Sequence, residues 1–183
     1  MKALDNLKQD HLAIERVLDL FEETGNRVRT SLPVPAGFER WAVESLCHFG
    51  DHCHHVKEET ALFPLLRLRG MSSEAGPLDL ILAEHERGKT YLRRMMDDAV
   101  RRDHVGFALA AEEYAHWLRR HMFKENFVIF QMAETYLTDE DDAQLAENFH
   151  RIEQEFGGDQ IHERFDADIR QWEEKFREPV KQE

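Results

Sequence analysis

Apolar residues recur along the chain at three- and four-residue spacing, and no segment alternates as a half-buried strand does. Glycine and proline punctuate that pattern. "SLPVPAG" (31–37), "RGMSSEAGP" (69–77), "RRDHVG" (101–106) and "GGD" (157–159) read as breaks. "LTDED" (137–141) reads as a helix start, with Thr138 or Asp139 as the cap. The segments between predict helices over roughly 3–30, 36–68, 76–102, 106–136, 139–156 and 160–177. Pro64 falls inside the second, so a kink or an early end near Phe63 is expected. Four long helices with short connections imply an all-α fold. The expectation is an up-down-up-down four-helix bundle over about 3–136, with one or two extra C-terminal helices over about 139–177. One domain over 1–183 is expected.

Helical phase, about 100° per residue, sorts side chains onto faces. On the first helix Leu4, Leu7, His11, Ile14 and Leu18 share a stripe. On the second, Val43, Cys47, His54, Glu58, Ala61, Leu62 and Leu65 do so. The third presents Leu78, Ile81, Leu82, His85, Leu92, Met96 and Val100. The fourth presents Phe107, Ala110, Tyr114, Trp117, Leu118, His121, Glu125, Val128 and Met132. Each helix thus carries a histidine on its core face, and the second and fourth add a carboxylate one turn later.

A lone histidine on an apolar face is usually a hydrogen-bonded core residue. Four such histidines with Glu58 and Glu125 are different, because an uncompensated buried carboxylate costs several kcal/mol. A metal ion is the simplest compensation. His-x-x-x-Glu sets imidazole and carboxylate one turn apart on one face, in reach of the same or adjacent ions. The motif repeats. "HHVKEETALF" (54–63) aligns without gaps on "HMFKENFVIF" (121–130), pairing His54 with His121, Lys57 with Lys124 and Glu58 with Glu125. "DHLAIERVL" from Asp10 and "EHERGKTYL" from Glu84 align through their histidines. Two hairpins, each bringing one His and one His-x-x-x-Glu, suit a dinuclear site.

At these residues the chain resembles the hemerythrin-like, or hemerythrin HHE cation-binding, family. "DHLAIERVL", "CHHVKEETALFP", "LAEHERGK" and "HMFKENFVIF" carry the resemblance in that order, over about residues 5–135. It implies a left-handed four-helix bundle around two non-haem iron ions, bridged by carboxylates and an oxo or hydroxo group. By motif the implied ligands are His11, His54, Glu58, His85, His121 and Glu125, with Glu58 and Glu125 as bridges. One position departs. Oxygen-carrying hemerythrins have a second histidine one turn after the third-helix ligand, where this chain has Lys89. A protonated lysine is no metal ligand. His55 is a candidate supplementary ligand, since F-box iron sensors of this family use an extra ligand beside the second-helix histidine. Glu15 and Lys89 either meet as a buried pair near the metals, or Lys89 snorkels to the rim. Asp51, one turn before His54, is the nearest inward acceptor for a ligating imidazole.

The implied function is binding of O2 or a related diatomic. Rival expectations are a di-iron enzyme acting on peroxide or nitric oxide, and an iron-sensing or iron-delivery protein. O2, NO or peroxide would be the small partner; the sequence names no protein partner.

Other histidines carry less. Glu-x-x-His at Glu113–His116 and Glu147–His150 matches a ferritin-like motif, but both histidines turn away from the apolar stripes. His104 is expected in a solvated loop. His162 shares the stripe of Phe165, Ile169, Trp172 and Phe176, and is expected to dock the last helix, with a role near the metal next and ligation last. Lys124 and Asn126 read as solvated, and His48, His52 and Glu59 as rim residues.

Composition narrows the partners. The net charge of -13 disfavours nucleic acid and anionic membranes. No stretch approaches the ~20 apolar residues of a membrane span, and the N-terminal "MKALDNLKQDHLAIERVL" suggests no signal peptide. Cys47 and Cys53, six residues apart in one helix, make a poor disulfide, so a reducing cytoplasmic location is expected.

Overall fold

Punctuation and periodicity together place the helix limits. In the computed structural model, which describes residues 1–71, 76–158 and 160–178, six helices follow one another and no strand occurs among those residues. They are α1 (Lys2–Arg29), α2 (38–68), α3 (Pro77–Arg101), α4 (104–136), α5 (Asp139–Phe156) and α6 (Ile161–Arg177). Parts of two expected breaks, 72–75 and 159, lie outside the described residues.

Caps explain several boundaries. Thr138 Oγ1 accepts from the Asp141 amide at 3.2 Å, and Asp141 Oδ2 accepts from the Thr138 amide at 3.0 Å. This reciprocal box makes Thr138 the cap of α5. Asp103 Oδ1 accepts from the Gly106 amide at 2.9 Å, so α4 begins at His104, earlier than the expected loop. Arg102, with φ 57°, supplies the left-handed step that lets α3 end there. α1 has no cap of its own side chains. Its Lys2 and Ala3 amides donate to Asp142 of α5, each at 2.9 Å, so the C-terminal helices complete the first one.

α1 packs along α4, and α3 packs against α2 and α4. α5 and α6 lie across α1, and α5 also covers α2. The result is a helical bundle whose apolar interior divides into two clusters. One gathers Ile14, Leu18, Phe21, Leu46, Phe107, Tyr114 and Leu118, with Ile169 and Trp172 of α6. The other gathers Leu4, Leu7, Leu62, Phe63, Ile81, Ile129 and Phe130, with Leu145 and Phe149 of α5. On every helix the predicted histidine falls between them: Leu7–His11–Ile14 on α1, Leu118–His121 and Glu125–Ile129 on α4. A polar layer is sandwiched between two apolar ones.

Two helices are not uniformly α. α2 winds as a π-helix over Leu46–His55 and Glu58–Leu62, and α4 over Glu125–Ile129. Such turns hold more residues per revolution and often mark functional sites. They advance the stripe beyond what a uniform 100° step predicts. Leu66 is therefore buried instead of Leu65, and Ile129 instead of Val128, which is 42% exposed. Val100, near the end of α3, is also exposed against expectation. The same loosening accommodates Pro64. The Glu58–Leu62 turn precedes it, and the helix continues to Leu68 instead of ending at Phe63.

Candidate metal centre

The inward face of α2 offers His54 and Glu58, and that of α4 offers His121 and Glu125, because a four-residue step returns each pair to one side. His11 and His85 complete the layer from α1 and α3. All six side chains are buried. His55 joins them, also buried; the π-turn beneath it brings adjacent histidines inward together.

Their ligand atoms form two groups, within each of which the atoms lie within 4.8 Å of one another. His11, His54, Glu58 and Glu125 make the first, and His55, His85 and His121 the second. The carboxylates span both. Glu125 Oε1 is 2.9 Å from His121 Nε2 and 3.3 Å from His85 Nε2, while its Oε2 is 3.2 Å from His11 Nε2. Glu58 Oε2 is 3.4 Å from His85 Nε2 and 3.8 Å from His54 Nε2.

The outer nitrogens share one pattern. Each Nδ1–H donates to an oxygen on a neighbouring helix turn or neighbouring helix. His11 meets Asn126 Oδ1 at 3.0 Å, His54 meets Asp10 Oδ2 at 3.0 Å, and His55 meets Asp51 Oδ1 at 3.1 Å. His85 meets Glu59 Oε1 at 2.7 Å, and His121 meets Glu84 Oε2 at 3.0 Å. With Nδ1 protonated, a neutral imidazole presents its lone pair at Nε2. Five such lone pairs then face the interior. His11 Nε2 and His54 Nε2 are 3.0 Å apart. That is roughly the separation of two nitrogens ~2.1 Å from one ion at right angles.

The inner oxygens fit the same reading. Both Glu58 oxygens, Glu125 Oε2 and His121 Nε2 are buried without a hydrogen-bond partner among the described residues. Buried polar atoms are rarely left so, and a cation satisfies all four at once. Burial, and then Glu125, push the Glu58 carboxyl up to about 7. Burial opposes a proton on His85, but Glu125, Glu58 and Glu59 outweigh it and hold that imidazole up to about 11. No cysteine stands in either ligand group, and burial pushes the Cys53 thiol up to about 12.

The hemerythrin HHE cation-binding domain family model matches residues 2–133. The chain belongs to this family. No curated protein and no solved structure matches it.

Within this hemerythrin-family bundle several expectations need correction. Asp51 does not hold His54; it holds His55, while Asp10 of α1 holds His54. Glu15 and Lys89 do not meet. Glu15 pairs with Arg119 at 2.5 Å, and Lys89 reaches outward to Glu86 at 2.6 Å, because its side chain leaves the bundle at the rim. His162 stands in neither ligand group. Its Nδ1 is 3.2 Å from Asp10 Oδ1 and its Nε2 2.8 Å from Glu153 Oε1. Glu59 and Asn126 are not idle rim residues, since they hold His85 and His11. Lys124 is not a free solvated lysine, since it pairs with Glu84. His104 opens α4 and pairs with Glu39 at 2.8 Å instead of lying in a loop. His116, His150, His48 and His52 are exposed, as expected.

Four of the residues the phase argument passed over were visible in the repeat. Asp10 and Glu84 each precede a ligand-type histidine, and hold His54 and His121 of the next helix. Glu59 and Asn126 each follow a ligand-type glutamate, and hold His85 and His11. Lys57, fully buried, had no counterpart signal beyond its alignment with Lys124.

His162 yields a pH prediction. Hydrogen bonds to Asp10 and then Glu153 raise its pKa to about 9, against burial and the nearby Lys57. A folded pKa above the unfolded ~6.5 means the proton binds the folded chain more tightly. The stabilisation is complete below about pH 6.5 and is lost as pH rises through about 9. Denaturant midpoints should fall over that window, and the fall should shrink in His162→Gln.

Proposed function

We propose that this hemerythrin-family chain is a non-haem di-iron protein that binds O2 or a related diatomic. Five clamped imidazoles in two adjoining groups, four of them with Nε2 against one or both of two buried carboxylates, carry this reading. His11, His54, Glu58 and Glu125 would hold one iron, and His55, His85 and His121 the other, with Glu58 and Glu125 shared. His55 takes the place of the histidine absent at Lys89. Nitrogen and carboxylate donors suit iron, though not iron alone, and the family membership favours it. The single domain over 1–183 and a cytoplasmic location belong to the same reading. No helix among the described residues is long and apolar enough to cross a membrane.

A small cavity beside the cluster supports a diatomic ligand. It offers about 10 Å³ to the centre of a water-sized molecule, and Ile14, Leu46, Tyr114, Leu118 and Met122 line it with His11, His54, His55 and His121. Space on that scale admits one water or one diatomic. Bound reduced iron supplies electrons to such a ligand. The chain contributes the rest. Apolar side chains keep bulk water out, and the outer acceptors hold each ring in place. Protons held on His85 and His121 compete with metal at Nε2, so uptake releases protons and weakens in acid.

The test is metal analysis and optical spectroscopy on anaerobically purified protein. Two irons per chain and a charge-transfer band that appears in air and vanishes under vacuum are expected. Sustained turnover of peroxide or nitric oxide would instead mark the enzyme reading. Extensive melting on iron removal would mark a sensor. One zinc and no iron would end the proposal.

A further inference from the structure

The two hairpins repeat the same outer clamp, and only one clamp is sealed. On one side Asp10 accepts from His54 Nδ1, and Lys57 Nζ donates to Asp10 Oδ2 at 2.9 Å. On the other side Glu84 accepts from His121 Nδ1 and pairs with Lys124. The second clamp reaches solvent, with Glu84 16% and Lys124 33% exposed. Asp10 and Lys57 are completely buried.

The closure comes from α5 and α6. Glu153 Oε1 lies 2.7 Å from Lys57 Nζ. His162 bridges Asp10 Oδ1, at 3.2 Å, and Glu153 Oε1, at 2.8 Å. Asn6 ties in from α1: Lys57 Nζ donates to its Oδ1 at 2.9 Å, and its Nδ2 donates to Glu153 Oε1 at 3.1 Å. Asp10 Oδ2 thus carries both His54 and Lys57, and Oδ1 lies in ion-pair range of His162, so the carboxylate behind the His54 ring is held from two sides. Among the described residues Glu84 is anchored, beyond His121, only by the partly exposed Lys124. Glu153 and His162 lie beyond residue 133, where the family match ends, so this asymmetry is a property of the added helices.

We propose that the C-terminal helices make the two metal positions inequivalent. His162 and Glu153 are positioning residues that lock the Asp10–Lys57 clamp on His54. The ion held by His11 and His54 then leaves more slowly than the ion held by His55, His85 and His121. This rests on the dinuclear reading above. An imidazole must swing away for its ion to depart, and a ring pinned at Nδ1 does so rarely; loss of such outer partners typically weakens metal binding about 10–100-fold.

The experiment follows release of Fe(II) from the anaerobically loaded, full-length protein into a colorimetric chelator. Wild type should release iron in two phases. His162→Phe keeps the edge-on ring contact with Phe49 but removes the hydrogen bond to Glu153 and the ion pair with Asp10. It should speed the slow phase about tenfold and leave the fast phase alone. His162→Gln, which retains hydrogen-bonding atoms, should restore part of the difference, and Glu153→Gln should reproduce the acceleration by a separate route. Trp172→Ala loosens α6 at its buried far end and should lower the melting temperature without changing either phase. An unchanged slow phase in His162→Phe and Glu153→Gln, single-phase release from wild type, or equal acceleration in Trp172→Ala overturns the inference. Wild type that retains no iron after loading overturns the di-iron reading itself.

Discussion

Glu125→Ala is expected to lose most of its bound iron. One carboxylate here lies within 3.3 Å of His85, His121 and His11, across both ligand groups. No other side chain approaches three ring nitrogens so closely among the described residues. Its removal takes a shared anionic ligand from both positions. Affinity should fall at least as far as for an outer partner, on the order of 100-fold. Metal analysis after dialysis should show one ion or none per chain. The metal-free fold should survive. Burial and mutual repulsion make the Glu58–Glu125 pair costly without a cation, while His121, His11 and His85 hold Glu125 ionised, so deleting it removes a repulsion and a set of attractions together. An unchanged melting temperature of metal-free protein beside lost metal would separate ligation from folding. Full iron retention would show that Glu125 is not a ligand.

Lys57→Met should have the largest effect on the fold. Lys57 is entirely buried, with Asp10 at 2.9 Å, Glu153 at 2.7 Å and Asn6 at 2.9 Å. Methionine fills similar space but leaves two carboxylates to share the single cation of His162. Breaking a buried ion pair on one side costs about 3–5 kcal/mol. For a chain of this size that lowers the melting temperature by roughly 10 °C. Adding Glu153→Gln should recover part of the loss, because one uncompensated charge then disappears. If the single variant melts within a degree of wild type, the network contributes nothing net to stability. Lys124→Met, at the half-exposed equivalent position, should cost far less, since exposed pairs contribute about 0–1 kcal/mol.

The contrast between these two lysines shows what the sequence by itself determined. The three-and-four spacing fixed the helices to within a few residues, because an amphipathic stripe must face a core whatever lies opposite. The gapless repeat of His-x-x-Lys-Glu named the inward ligand-type residues, because phase along one helix is a local property. The repeat even held the outer acceptors. Asp10, Glu84, Glu59 and Asn126 all sit next to those residues in the chain.

What phase could not supply was the partner across the gap. Asp51 was the nearest acid to His54 along α2, yet it holds His55, and Asp10 of the facing helix α1 holds the His54 ring. The π-turns changed the step, which brought His55 inward with His54 and exchanged Leu65 for Leu66 and Val128 for Ile129. A uniform 100° step carries no trace of either. Lys57 and Lys124 are the same residue in the same motif. Only the packing of α5 and α6 over one of them made it a buried cation. Burial is set by what covers a side chain, and that depends on chain segments about a hundred residues away, with Glu153 and His162 closing over Lys57 and Asp10.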